Sequence, residues 1–181
     1  MTETYQPTPE EIAEPFFSEP SPSAPLAYIA APYSHPDRVI ISARMHAFDK
    51  ALAGMLTKGD VFPVSPLMNH AILGKHKIPG NWEFWQHYSR RLLARCDQII
   101  VIDLPGTTES VGVQGELELA RSLHLPVFYV SYDQDAFDEG AVAVLQAEQP
   151  GVHGDHILKD WLKADRDPTL ARELIRVSRW S

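Results

Sequence analysis

Three groups of residues in this sequence have types and spacing suited to chemistry on a small ligand. The first centres on Glu116, in the run Ser110-Val111-Gly112-Val113-Gln114-Gly115-Glu116-Leu117-Glu118-Leu119-Ala120. Its spacing predicts a helix, with Glu116 about two turns in and on the same side as Gly112, which has no side chain to obstruct it. An ionised carboxylate there can look into a crevice and serve as a base, a nucleophile or a stabiliser of developing positive charge. Ser110 can cap that helix, whose first amides favour an anion. The second group is Tyr28, Pro32, Tyr33 and Ser34, at the end of a short apolar run. It meets Gly106, Ser110, Gly112 and Glu116 across one crevice if the strand order reverses between the first and third strands. The third group is aromatic: Trp82 and Trp85 can stack on a flat base or pack a core at helical spacing.

These residues need elements to hold them. Asp97 to Leu104 is apolar and β-branched between an Asp and Pro105-Gly106, which predicts a strand buried on both faces. In the helix that follows, Ser110 to His124, Val113, Leu117, Ala120 and Leu123 share a face. Leu26 to Ala31, closed by Pro32, predicts the first strand, and Ser34-His35-Pro36-Asp37 supplies turn and cap residues for a long helix. Ile40, Ala43, Ala47, Ala51 and Met55 mark the apolar stripe of that helix, and Gly59 ends it. Val61 to Ser65 is interrupted by Pro63 and closed by Pro66, as expected of an edge strand or one that ends early. Residues 66–80 have the composition of a loop or short helix over a crevice. Asn81 to Cys96 predicts a helix capped by Asn81, with Trp85, Tyr88, Leu92 and Cys96 on one face, and Pro126 to Ser131 a further buried strand.

The alternation predicts an α/β fold: a doubly wound, mainly parallel sheet of four to five strands with helices on both faces, flavodoxin- or Rossmann-like. Residues 1–24 are rich in Pro, Glu and Ser and read as a flexible leader, in which Phe16-Phe17 could dock on the domain or a partner. The α/β domain is expected over 25–134. A helical extension over 135–181 contains a helix near Phe137 to Gln146, a break at Gly151 to Gly154 and two amphipathic segments ending at Trp180, the last opened by Pro168. It is expected to cover the sheet edge, the domain or a partner subunit.

A net charge of −8 over 181 residues argues against a nucleic-acid partner but leaves room for a small anionic nucleotide. The single cysteine, Cys96, excludes an internal disulfide framework and reads as a packing residue in a reducing compartment. No long apolar span exists, and the N-terminal stretch is acidic without a hydrophobic signal core, so a cytoplasmic protein with no membrane partner is expected. His35, His70, His76 and His87 lack a metal-binding spacing, and no Walker sequence is present. Neither metal nor cofactor is expected.

The run Ser110 to Ala120 resembles the active-site helix of the nucleoside 2-deoxyribosyltransferase superfamily, including its branch of nucleoside 5′-monophosphate N-glycosidases. From Tyr28 to about Tyr132 the chain is more closely similar to a small uncharacterised bacterial and phage family of the DUF1937 type. That likeness is carried by Tyr28-Ile-Ala-Ala-Pro32-Tyr33-Ser34-His35-Pro36, Ser65-Pro66, Trp82-Glu-Phe-Trp85 and Ala94-Arg95-Cys96-Asp97. The resemblance implies that Glu116 is the nucleophile on the anomeric carbon and that Tyr28 positions its carboxylate. Where the transferases resemble one another in an Asp that binds the 5′-hydroxyl, the monophosphate hydrolases carry Ser, as Ser110 does here; this favours a 5′-phosphate, and a plain cap role is compatible with it. The chain departs from the pattern at Ser89, where the superfamily commonly places an Asp about two turns before the Asp that opens the central strand. Serine is a poor general acid at neutral pH, and the neighbouring His87 and Tyr88 point elsewhere on a helix. The resemblance also implies a homodimer or higher homo-oligomer whose partner loop completes the site. The functions open at this point are hydrolysis of a (deoxy)nucleoside 5′-monophosphate to base and sugar phosphate, transfer of the sugar to another base, binding of a nucleotide signal without turnover, and cleavage of a larger ligand such as a dinucleotide.

Overall fold

The computed structural model describes residues 21–178; Phe16-Phe17 and Trp180 lie outside the described residues. Four strands form one parallel sheet: β1 (Leu26–Ala30), β2 (Phe62–Val64), β3 (Gln98–Ile102) and β4 (Val127–Val130), in the order β2-β1-β3-β4. The order reverses between β1 and β3, so the loops leaving these two strands diverge and a crevice opens between them. Asp97 sets their register from below: its N–H donates to Leu26 O at 2.8 Å, and its Oδ2 accepts from Leu26 N at 2.8 Å.

Alternation along the central strands divides the core in two. Ala27 and Ile29 of β1 and Ile100 and Ile102 of β3 face α1 (Arg38–Lys58) and the helices after β4. Tyr28 and Ala30, with Ile99 and Val101, face α3 (Trp82–Leu93) and α4 (Val111–Ser122). The fold is therefore α/β with helices on both faces of a parallel sheet. Asp37 caps α1 by accepting from Val39 N, and Gly59, at φ 68°, closes it in the left-handed conformation that glycine adopts without strain. After the short edge strand β2, residues 66–76 form a 3-10 turn (Pro66–Asn69) and then α2 (His70–His76).

The C-terminal helices are α5 (Gln134–Glu148), α6 (Gly154–Lys163) and α7 (Pro168–Ser178), the last opened by Pro168. They lie over α1 and extend its core: Phe137, Leu145, Ile157, Trp161 and Ile175 are buried with Phe48 and Leu52. Asp138 stitches this layer, accepting from Trp161 Nε1 at 2.9 Å and from Arg166 Nε at 2.8 Å. Among the described residues no helix is long and apolar enough to cross a membrane.

Four details differ from the sequence pattern. Asn81 makes no capping bond to α3; its amide donates to Glu83 Oε2 at 2.7 Å instead. The face of α3 turned to the core carries Ser89 and Leu93, while Tyr88 is exposed. Cys96 sits past the helix in the turn before β3, buried, with its thiol pushed up to about 11 by burial. Finally, β4 is an edge strand that exposes both Phe128 and Tyr129, and Leu123 beyond α4 is exposed as well. Being last in the sheet, β4 has a neighbour on one side only.

Candidate functional site

Tyr28 stands in the middle of β1, fully buried, on the α3/α4 side of the sheet. Its phenol donates to Glu116 Oε1 at 2.5 Å, and its oxygen lies 2.9 Å from Ser89 Oγ. Ser89 Oγ in turn donates to the same Glu116 oxygen at 3.3 Å. Strand β1 and helix α3 thus each contribute one hydroxyl to a single carboxylate oxygen carried by helix α4. Burial pushes Glu116 up to about 7, against the opposing pull of the Tyr28 and Ser89 hydrogen bonds. Tyr28 is itself raised well above the ordinary phenol value, first by burial and then by the charge of Glu116. A carboxylate poised near neutrality in a cleft is the kind of group that acts as base or nucleophile.

Glu116 opens onto a crevice of about 430 Å³ at the C-terminal end of the strands. Ala31, Tyr33 and Ser34 supply the wall from the β1 loop, and Glu109, Ser110, Val111 and Gly112 the wall from the start of α4. Leu67 and Leu73 reach in from residues 66–76, and Asn81 to Glu83, Trp85 and Ser89 from α3. The β1 loop is pinned to the segment before α3: Ser34 Oγ donates to Gly80 O at 3.0 Å, and a Cβ on Gly80 would lie 3.0 Å from the Tyr33 ring.

The start of α4 presents donors and open space to the crevice. Ser110 Oγ accepts from Val113 N at 3.3 Å, and this cap uses a lone pair, leaving the hydroxyl proton free to donate. The N–H groups of Val111 and Gly112 have no carbonyl one turn earlier. A Cβ on Gly112 would meet nothing nearer than Ser110 Oγ at 3.8 Å, so its want of a side chain leaves space rather than permitting close packing. Gly115 is different: the ring of Trp82 occupies the place of its Cβ, so Trp82 packs directly on α4 one residue before Glu116. Trp85 also lines the crevice, held by Nε1 donating to Pro79 O at 2.7 Å and by edge contacts with Phe84 and Tyr88.

Of the residues singled out from sequence, Tyr28, Ser89 and Glu116 are brought into mutual contact, and Tyr33, Ser34, Trp85, Ser110 and Gly112 line the same crevice. Pro32 is buried and Gly106 partly so, and neither is on the lining. Glu83 and Glu109 on the wall were not anticipated, nor was Arg44, whose guanidinium lies against Gly106. A signal for Arg44 did exist: a cation four residues after Ile40 and three before Ala47, inside the apolar stripe of α1. Among the described residues no group of three or more His, Cys, Asp or Glu could hold a metal ion.

No curated protein matches this chain. A family model does: residues 26–132, the segment that contains all four strands and the whole crevice, match the domain of unknown function DUF1937, and the chain belongs to that family.

Proposed function

We propose that this protein cleaves the N-glycosidic bond of a (deoxy)nucleoside 5′-monophosphate, with Glu116 as nucleophile. The observation that carries this reading is the half-buried carboxylate of Glu116 on the lining of the crevice, with one oxygen held by Tyr28 and Ser89. With Oε1 engaged by both hydroxyls, Oε2 is the oxygen left for the substrate. It forms a bond to the anomeric carbon as the bond to the base breaks, and the base departs with the electron pair. Water then adds to the anomeric carbon, the ester to Glu116 breaks, and sugar 5-phosphate leaves. Ser110 and the first amides of α4 support recognition of the phosphate, and Trp82 and Trp85 offer faces to the base. Protonation of the departing base falls to a group other than Ser89, whose hydroxyl proton is not transferable at neutral pH.

Transfer of the sugar to a second base uses the same first step and differs only in the acceptor. Binding without turnover is favoured by one observation, the hydroxyl of Ser89 where a stronger acid would serve catalysis. A homodimer belongs to the main reading, supported by exposed Phe84, Tyr88 and Val111 about the crevice; the lone buried thiol supports a reducing, cytoplasmic setting.

The test is a time course of base release from ribo- and deoxyribonucleoside 5′-monophosphates and the matching nucleosides. Release from monophosphates is expected, reduced about a thousandfold or more in Glu116→Gln. Release only when a second base is added would mean a transferase. Saturable binding with no release would establish the binding module.

A further inference from the structure

The crevice poses a problem of charge. Its wall carries Glu83, Glu109 and Glu116, and no Lys, Arg or His is among the residues that line it. The whole chain has a net charge of −8. A phosphate entering here meets a repulsive field unless a positive charge stands close behind the wall.

Arg44 occupies that place. It projects from α1 and is 6 % exposed. Nε donates to Pro105 O at 3.0 Å, and Nη1 donates to Ser34 O at 2.7 Å and to Tyr33 O at 3.5 Å. One guanidinium therefore ties the loop leaving β1 to the loop leaving β3, the two loops that part at the reversal of strand order. Nη2 fills the space where a Cβ of residue 106 would stand, and Gly106, at φ +93°, is in a conformation other residues avoid. Its hydrogen-bond partners among the described residues are carbonyls, and the charge that acts on it is that of Glu109. Burying a cation against carbonyls, with Glu109 acting on it but in no ion pair with it among the described residues, is costly. A strap between two loops needs donors but no charge, and an amide side chain would supply them. A charge kept at this point is accounted for by a ligand that brings the opposite one.

We propose that Arg44 is the positioning residue that makes the crevice accept an anionic ligand. It holds the Tyr33-Ser34 and Pro105-Gly106 segments in place and supplies the positive field for a 5′-phosphate, which is received by the Ser110 hydroxyl and the first amides of α4. Arg44 itself touches no ligand atom. The inference rests on the nucleoside 5′-monophosphate reading and adds the source of its charge selectivity.

The experiment is calorimetric titration of the full chain with 2-deoxyribose 5-phosphate, deoxyadenosine 5′-monophosphate and deoxyadenosine, at low and high salt. Wild type is compared with Arg44→Met, Arg44→Lys and Arg44→Gln, the last retaining donors for the carbonyls should Arg44→Met fail to fold. Both phosphorylated probes are expected to bind about 10- to 30-fold more weakly to the neutral variants, with little change in Arg44→Lys or for deoxyadenosine, and with reduced salt dependence. Equal weakening of phosphorylated and neutral probes, or of the Lys and Met variants, would reduce Arg44 to a strap and overturn the proposal. Undiminished phosphate preference in the neutral variants would overturn it while leaving the monophosphate reading intact. Absence of phosphate preference in wild type would overturn both.

Discussion

Glu116 is where the chemistry and the cost of this structure meet. In the proposed reaction its carboxyl, pushed up to about 7 by burial, must be ionised to attack carbon. In the proposed reaction kcat/KM should therefore fall about tenfold per pH unit below that value. Tyr28 donates to the carboxylate and draws its pKa down, so Tyr28→Phe should move this limb to higher pH and lower the rate at pH 7 by about tenfold. Parallel pH–rate profiles of the two proteins decide it; an unmoved limb in Tyr28→Phe would show that the phenol has no hold on the nucleophile. The same burial has a consequence for stability. A carboxyl whose folded pKa exceeds its unfolded value binds protons more tightly when folded, so stability declines as pH rises from about 4.5 to about 7. Glu116→Gln escapes that decline and should exceed wild type in stability at pH 8 by on the order of 1–3 kcal/mol, and by less at pH 5.

At the scale of elements, the packing of α3 on α4 shapes the crevice, and it turns on Gly115. The Trp82 ring lies where a Cβ of residue 115 would be. Gly115→Ala should gain helix propensity yet lose more to overpacking, a net destabilisation of about 1–2 kcal/mol. Thermal melts and tryptophan emission check this, and a variant more stable than wild type would mean that the ring moves aside freely. These elements also show what could be read from the chain. The β-branched run of β3, the Pro-punctuated β2, the cap residues Asp37 and Ser110 and the breaker Gly59 are local signals, and their elements are found where the signals stand. The inward face of α3 was not legible. Periodicity follows apolarity and selects Trp85, Tyr88 and Leu92, whereas Ser89 is buried because Tyr28 and Glu116, 61 residues before it and 27 after, supply its hydrogen bonds. Likewise β4 reads as a buried strand from its Val, Phe and Tyr residues, yet its place at the sheet edge leaves Phe128 and Tyr129 exposed. Arg44 was legible only as a cation inside the apolar stripe of α1; its partners are carbonyls of two distant loops, which no spacing rule encodes.

Across the whole molecule, the C-terminal helices lie beyond the family-matched segment and are tied back to it by Arg172. From α7, Nη1 donates to Asp37 Oδ2 at 2.6 Å and Nε to Glu148 Oε2 at 2.7 Å, joining the cap of α1 to the end of α5. The Arg172 guanidinium holds the Asp37 carboxyl below its usual value. Arg172→Ala should cost about 1–3 kcal/mol at pH 7. Because a depressed carboxylate stabilises above its unfolded pKa and loses that contribution as pH falls through the folded one, the deficit should shrink toward pH 3. Melts at the two pH values check this; an equal deficit would assign the loss to packing of the arginine stem. The sheet order has a different kind of consequence. Tyr28 meets Glu116 across 88 residues, and β1 pairs with β3 only after β2, α2 and α3 have been made. During synthesis, a chain emerging from the ribosome carries Tyr28 long before it carries a carboxylate for it to hold, and β1 waits with one edge open. The crevice therefore cannot be complete before Glu116 has emerged, and every shorter nascent chain lacks the carboxylate that its tyrosine is placed to hold.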